Sequence, residues 1–281
     1  MLKQRIISGV ILGVALLTAV AFAQPGVALA IVGLLCVLSL IEFYDILDTA
    51  GIPNFRHICV IAGLLMLTVE WWALLHPESS RLRADSDALA IAAAFGLLFV
   101  RQFFARGNGR PLHTLAGSLL GLGYICVPLL FFLKIAMLGG GVGGRWLLLY
   151  MIVVVKLTDM GAFFVGCAIG RHKLIPRISP KKTWEGVAGG VAFAIVGSLF
   201  MRWVTRGHLG EVELSIPHAL ILGALLAIAG ILGDLAESLV KRSAGVKDSG
   251  RMIAGMGGLL DVIDSLLPAA PMMYLYVRHL M

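Results

Sequence analysis

Apolar runs of about twenty residues recur along this chain from end to end, and each is long enough to cross the roughly 30 Å hydrocarbon core of a bilayer as a helix. They fall near 6–23, 27–47, 56–75, 87–105, 112–137, 146–169, 185–205, 217–240 and 256–279. No water is available in that core to pair backbone N–H and C=O groups, so a helix, which closes its own hydrogen bonds, is the element such runs form. Composition agrees: 14% of residues are charged and the mean hydropathy is +0.94, whereas soluble domains carry roughly 25% charge. The spacing therefore predicts an all-α, polytopic transmembrane protein of about nine membrane-spanning helices. The links are short, so residues 1–281 are read as a single integral membrane domain, with N-terminal helices in 1–145 and the charged motifs in 146–281. The first run ends in an A-x-A pattern, Ala21-Phe22-Ala23. Its length, and the span that follows at once, mark it as an uncleaved helix rather than a signal peptide.

Basic residues set the expected orientation. With the N-terminus in the cytoplasm and the links alternating, fifteen Lys and Arg fall on the cytoplasmic side and six on the other. Lys134 and Lys156 lie inside spans, which accounts for all 23. This asymmetry obeys the positive-inside rule. The net charge of +7 is thus topology, and no nucleic-acid partner is expected. The two most basic links, 170–184 and 241–255, share the cytoplasmic side, where an anionic substrate would be met.

Three charged blocks lie in the second half. In the first, Lys156 and Asp159 are three apart and share a helix face, where each can neutralise the other. The "SPKKTWEG" stretch from Ser179 to Gly186 follows. Pro180 reads as the first turn of a helix capped by Ser179, with Lys181 and Lys182 beside its unpaired N–H groups, a phosphate-binding arrangement. The same lysines would equally suit a loop facing anionic lipid heads. In the second block, Asp234, Glu237 and Lys241 form one helical stripe, followed by Arg242 and a turn carrying Lys247 and Asp248. In the third, Gly255, Gly257 and Gly258 precede Asp261 and Asp264, which begin the last span. If the last two spans are antiparallel neighbours, four carboxylates meet beside two basic links. A hard divalent cation is the natural neutraliser, because Mg2+ takes carboxylate and phosphate oxygens. A cation transporter also uses intramembrane carboxylates, but it would not require the clustered lysines and arginines.

The stretch from Ser238 to Ser265, "SLVKRSAGVKDSGRMIAGMGGLLDVIDS", resembles the signature of the integral-membrane phosphatidate cytidylyltransferases, the CDP-diacylglycerol synthases. "SPKKTWEG", "TDMGAF" (Thr158 to Phe163) and "GDLAES" (Gly233 to Ser238) are similar to further blocks of that family, in the same order. The resemblance implies that a phosphatidate oxygen attacks the α-phosphorus of CTP at the cytoplasmic face, leaving CDP-diacylglycerol and pyrophosphate. It implies catalytic roles for Asp234, Asp261, Asp264 and Lys241, with Asp234 and Asp261 as metal ligands. It also implies Mg2+ with a companion cation such as K+, and contacts to triphosphate or lipid phosphate from Lys181, Lys182, Lys241, Arg242 and Lys247. Asp248 and Asp159 are further substrate-side candidates. A homodimer is implied as well, among membrane lipids; the size of the chain and the lack of a targeting extension read as a bacterial-type inner membrane. The alternatives are a CTP-dependent cytidylyltransferase or kinase for another lipid phosphate or polyprenol, or a transporter that keeps the scaffold.

Three positions depart from the family pattern: Ala254 stands for proline, Met256 for histidine and Val262 for arginine. Elsewhere the readings are plain. Cys36, Cys59, Cys126 and Cys167 lie in apolar runs and form no C-x-x-C, so they read as small buried hydrophobes. "GGGVGG" (Gly139 to Gly144) has no P-loop lysine after it and reads as a flexible link. Glu42 and Asp45 read as a solvated helix end, with the lipid entrance as the other reading. Trp71, Trp72 and Trp146 read as interfacial anchors.

Overall fold

The computed structural model describes residues 25–76, 80–106, 109–250 and 257–281. Eight helices among them are long and apolar enough to cross a membrane: Gly26–Thr49, Arg56–Leu75, Asp85–Phe103, Pro111–Met137, Gly143–Ile169, Trp184–Val204, Ile216–Ser243 and Leu260–Leu280. Each coincides with an expected span; the expected helix at 6–23 lies outside the described residues. In the order used below, α1 is Pro25–Thr49, α2 Arg56–Leu75, α3 Ser80–Phe103, α4 Pro111–Gly121, α5 Val127–Met137, α6 Val142–Ile169, α7 Trp184–Val204, α8 Ile216–Ser243, α9 Leu260–Ile263 and α10 Leu266–Leu280. Between α4 and α5 the chain makes a π turn, Leu122–Cys126. Pro128 lacks an N–H and its ring crowds the carbonyl one turn back, so the hydrogen-bond ladder widens there.

Two apolar clusters hold the bundle. The first gathers Leu40, Phe43, Leu67, Leu98 and Leu129 from α1 to α5, together with Leu260 and Leu267. The second gathers Tyr150, Val154, Ala194 and Leu226 from α6 to α8, with Ala269 and Met273 of α10. The last helix thus belongs to both. Within the second cluster, Tyr150 Oη and Ser198 Oγ lie 2.6 Å apart, and Ser198 Oγ donates to the Ala219 carbonyl at 2.6 Å. This chain of hydrogen bonds links α6, α7 and α8.

The link from α6 to α7 differs from expectation. Ser179–Thr183 is a strand, β2, paired antiparallel with β1 (Lys173–Ile175). Pro176 sits in the turn, closed by Ile178 N to Ile175 O at 3.1 Å. The helix begins only at Trp184 and is capped by Thr183 Oγ1, which accepts from Gly186 N at 3.1 Å. Ser179 is therefore not the cap and Pro180 is not in a first turn. A proline, and the residue before it, are equally at home in an edge strand, and here pairing with Lys173–Ile175 decides. The "GGGVGG" segment is also shaped: Leu138–Gly141 forms a 3-10 turn that leads into α6. Trp71 is buried rather than interfacial, while Trp72 and Trp146 are exposed.

Candidate active site

The charged blocks converge at one end of the bundle, and a close helix crossing brings them there. Gly233 of α8 lies against the Asp264 carbonyl and Pro268. Any side chain at position 233 would meet that carbonyl, so glycine lets α8 touch the start of the last span. Asp234, the next residue, and Asp264 are thereby brought to one wall. The last span is not a continuous helix at this point: α9 ends at Ile263 and α10 begins at Leu266, with Asp264 at the break.

The wall encloses a cleft of about 400 Å3. Asp159 of α6, Lys181 and Lys182 of β2, Asp234, Glu237 and Lys241 of α8, and Asp261 and Asp264 all line it. Ala162, Phe163, Val187 and Ile231 form its apolar side. Five carboxylates and three ammonium groups line it, and a fourth ammonium, on Lys156, pairs with Asp159 at 3.3 Å, a formal excess of one negative charge.

These charges are wired together. Lys241 Nζ lies 2.5 Å from both Glu237 Oε2 and Asp261 Oδ1. The Asp261 Oδ2 atom accepts from Ser249 N (3.0 Å), Ser249 Oγ (2.9 Å) and Gly258 N (2.8 Å). Gly257, at φ 98°, brings the backbone to this carboxylate in a conformation that favours glycine. Lys182 Nζ pairs with Asp234 Oδ2 at 2.7 Å, tying the hairpin to α8. Lys156 Nζ contacts Asp159 Oδ2 at 3.3 Å and donates to the Val262 carbonyl at 2.9 Å. Asp264 Oδ1 accepts from Ser265 N and Oγ at 2.6 and 3.0 Å. Glu237 is buried, and among the described residues its Oε1 atom has no hydrogen-bond partner.

Of the residues singled out from the sequence, Asp159, Lys181, Lys182, Asp234, Lys241, Asp261 and Asp264 meet in the cleft. Arg242, Lys247 and Asp248 do not line it; all three are exposed, and Arg242 donates to the Val246 carbonyl at 3.2 Å. Ala254 and Met256 lie outside the described residues. Val262 packs on the first apolar cluster and is absent from the cleft wall. Glu42, read as a solvated helix end, is buried at 4% exposure. It accepts from the amides of Leu259 and Leu260, more than two hundred residues away in sequence. Its helical spacing carried no signal of those partners.

The family whose sequence pattern matches is described as the Cytidylyltransferase family, and the match covers residues 3–280. The chain belongs to that family. It is 32% identical to the phosphatidate cytidylyltransferase of Bacillus subtilis, over 97% of this chain and 96% of that protein. It is 37% identical to the phosphatidate cytidylyltransferase of Brucella suis, over 73% of this chain and 72% of the relative. A shorter match, 44% identical over 46% of this chain and 44% of the relative, is to the phosphatidate cytidylyltransferase of Haemophilus influenzae. Multiple apolar helices and this membership together make it a multi-pass membrane protein.

Proposed function

We propose that this protein transfers the cytidylyl group of CTP to phosphatidate, giving CDP-diacylglycerol and pyrophosphate, and that the cleft between α6, α8 and the start of the last span is where it does so. The observation that carries the placement is the meeting of a lysine-bearing, carboxylate-rich wall with an apolar one. A phospholipid substrate presents the same two faces. Its phosphate would meet Lys181, Lys182 and Lys241 while its chains run past Phe163, Val187 and Ile231. A phosphate oxygen of the lipid forms the new bond to the α-phosphorus of CTP, the bond to the β-phosphate breaks, and that electron pair leaves with pyrophosphate. The lipid phosphate is already ionised at neutral pH, so the step asks no residue to remove a proton. What it asks for is positive charge held in advance where negative charge builds up, and the three lysines offer that.

A divalent cation fits the residues. The donors are all carboxylate oxygens, they outnumber the lysines that line the cleft or pair with them, and Glu237 keeps one buried oxygen unpartnered. No cluster of three or more His, Cys, Asp or Glu forms a ready-made cage among the described residues. Substrate phosphate would therefore have to complete the shell of a bound Mg2+, an ion commonly held by one or two carboxylates together with substrate phosphates. Asp234 and Asp261 are the proposed ligands, with Asp264 beside them and a second cation such as K+ as companion. When bound, the metal would neutralise phosphate charge and steady the leaving pyrophosphate. Lys241 at Asp261 Oδ1, and Ser249 and Gly258 at Oδ2, keep that carboxylate in place.

The proposal includes a cytoplasmic N-terminus, which puts the cleft at the cytoplasmic face of an inner membrane, and a homodimeric assembly. CTP labelled at the α- or at the γ-phosphorus tests the reaction with the purified protein and phosphatidate. The expected result is α-label in the lipid fraction, lost with EDTA and restored by Mg2+. Label arriving only from the γ-position would replace this reading with a kinase.

A further inference from the structure

We infer that Glu42 is the positioning residue of this site, a clasp from the N-terminal half that sets the carboxylate of Asp261. The inference rests on the cleft being the reaction site, and it assigns a role to a residue outside every charged motif of the second half. Glu42 is buried on α1, where a carboxylate is costly unless its oxygens are satisfied. They are. Leu259 N donates to Oε1 at 2.9 Å, Leu260 N to Oε2 at 2.8 Å, and Ser249 Oγ lies 3.3 Å from Oε2.

Ser249 stands just before residues 251–256 and the two amide donors just after. The Ser249 hydroxyl, with one proton to give, lies 2.9 Å from Asp261 Oδ2 and 3.3 Å from Glu42 Oε2, so the two carboxylates share it. Glu42 therefore gathers the two ends of the link between α8 and α9 onto α1. The same ends hold Asp261: Ser249 donates to its Oδ2 through both N and Oγ, and Gly258 donates through N. Asp261 in turn fixes Lys241. The connection from Glu42 through Ser249 to Asp261 and Lys241 is a supporting layer of the kind that holds reactive groups in register.

The glycines around it agree. A Cβ on Gly250 would lie 2.7 Å from Glu42 Oε1, with Glu42 carbon atoms as its other near neighbours, and a Cβ on Gly258 would overlap Ser249 Oγ and Glu42 Oε2. Both positions have been left without a side chain where the carboxylate comes in. The backbone of Gly250 is not in the left-handed region, so space alone accounts for it.

Glu42→Gln can accept only one of the two amides, because its NH2 turns a donor toward the other. Glu42→Asp keeps both acceptors on a stem one methylene shorter. Hydrogen exchange at the Leu259 and Leu260 amides, read on the full chain in detergent, should speed up about tenfold in Glu42→Gln while the rest of the bundle keeps its protection. The kcat/KM for CTP should fall about 10- to 100-fold, and Glu42→Asp should recover part of the loss. Gly250→Ala should also impair the enzyme, and should add nothing further in a Glu42→Ala background, where its clash is gone. Unchanged exchange at the two amides, exchange rising uniformly across the bundle, or wild-type kinetics in Glu42→Gln would each overturn the inference. If the unaltered chain released no pyrophosphate, the reading of the reaction would fail instead, and the exchange experiment would still decide the role of Glu42.

Discussion

Two groups of buried charges lie within this bundle, and they are built differently. In the N-terminal half, Lys134 lies 3.7 Å from Glu70 and also pairs with Asp87, while Ser86 Oγ donates to Glu70 at 2.9 Å. Its ammonium stands over the rings of Phe131 and Tyr274, at 5.3 and 5.5 Å. None of these residues lines the cleft. In the C-terminal half, Lys241 bridges Glu237 and Asp261, but around that bridge three further carboxylates face a cavity. The first group turns its charges onto one another and onto aromatic faces, which joins α2, α3 and α5. Among the described residues an unpartnered carboxylate oxygen occurs in both, on Asp87 and on Glu237; the second group differs in turning its carboxylates toward open volume. Buried ions in a membrane protein are costly in either setting. The cavity, more than the burial or the charge balance, marks the second group as the place for a substrate.

The sharpest separation comes from removing the central lysine of the first group. Lys134→Met leaves Glu70 and Asp87 uncompensated and should cost about 3–5 kcal/mol of stability, seen as a lower unfolding midpoint in detergent. Turnover per folded molecule should stay near wild type; a specific loss of turnover would break the contrast. Asp261→Asn should do the reverse, lowering pyrophosphate release by about 100- to 1,000-fold with a smaller drop in the midpoint than Lys134→Met, because Glu237 still pairs with Lys241. Tyr150→Phe tests the scaffold behind the cleft: loss of its contact with Ser198 should cost about 0.5–1.5 kcal/mol, read by the same thermal assay. The smallest effect is expected at Arg242, which is exposed beyond the cleft wall. Arg242→Gln should change kcat/KM by less than about fivefold, the scale of an exposed charge contact. A loss as large as that of Asp261→Asn would draw Arg242 into the site.

The membrane spans were legible because length and hydropathy are local properties. The run read at 185–205 appears as Trp184–Val204, and that at 112–137 as Pro111–Met137. The pairing of Lys156 with Asp159 followed from helical spacing alone, and the stripe of Asp234, Glu237 and Lys241 placed Glu237 and Lys241 on one face, where they pair. What failed depended on distant partners. Ser179-Pro180 carries the pattern of a helix start, and only pairing with Lys173–Ile175 makes it a strand. Glu42 has the spacing of an ordinary helix end, and the amides that bury it stand 217 and 218 positions further on. Arg242, Lys247 and Asp248 lie in the expected link with exposed side chains that do not line the described cleft, and the Arg242→Gln measurement decides whether a substrate reaches them. Val262 shows another limit. Beside two cleft aspartates it reads as a lost polar group, yet its side chain packs in the first apolar cluster while its carbonyl takes Lys156.

The most direct test measures pyrophosphate release from CTP by the purified protein, with and without phosphatidate and Mg2+, for wild type, Asp261→Asn and Lys134→Met normalised to folded protein. The account predicts release that requires both phosphatidate and Mg2+, persists in Lys134→Met and nearly vanishes in Asp261→Asn. Release that survives in Asp261→Asn at the wild-type rate would contradict it and move the chemistry out of this cleft.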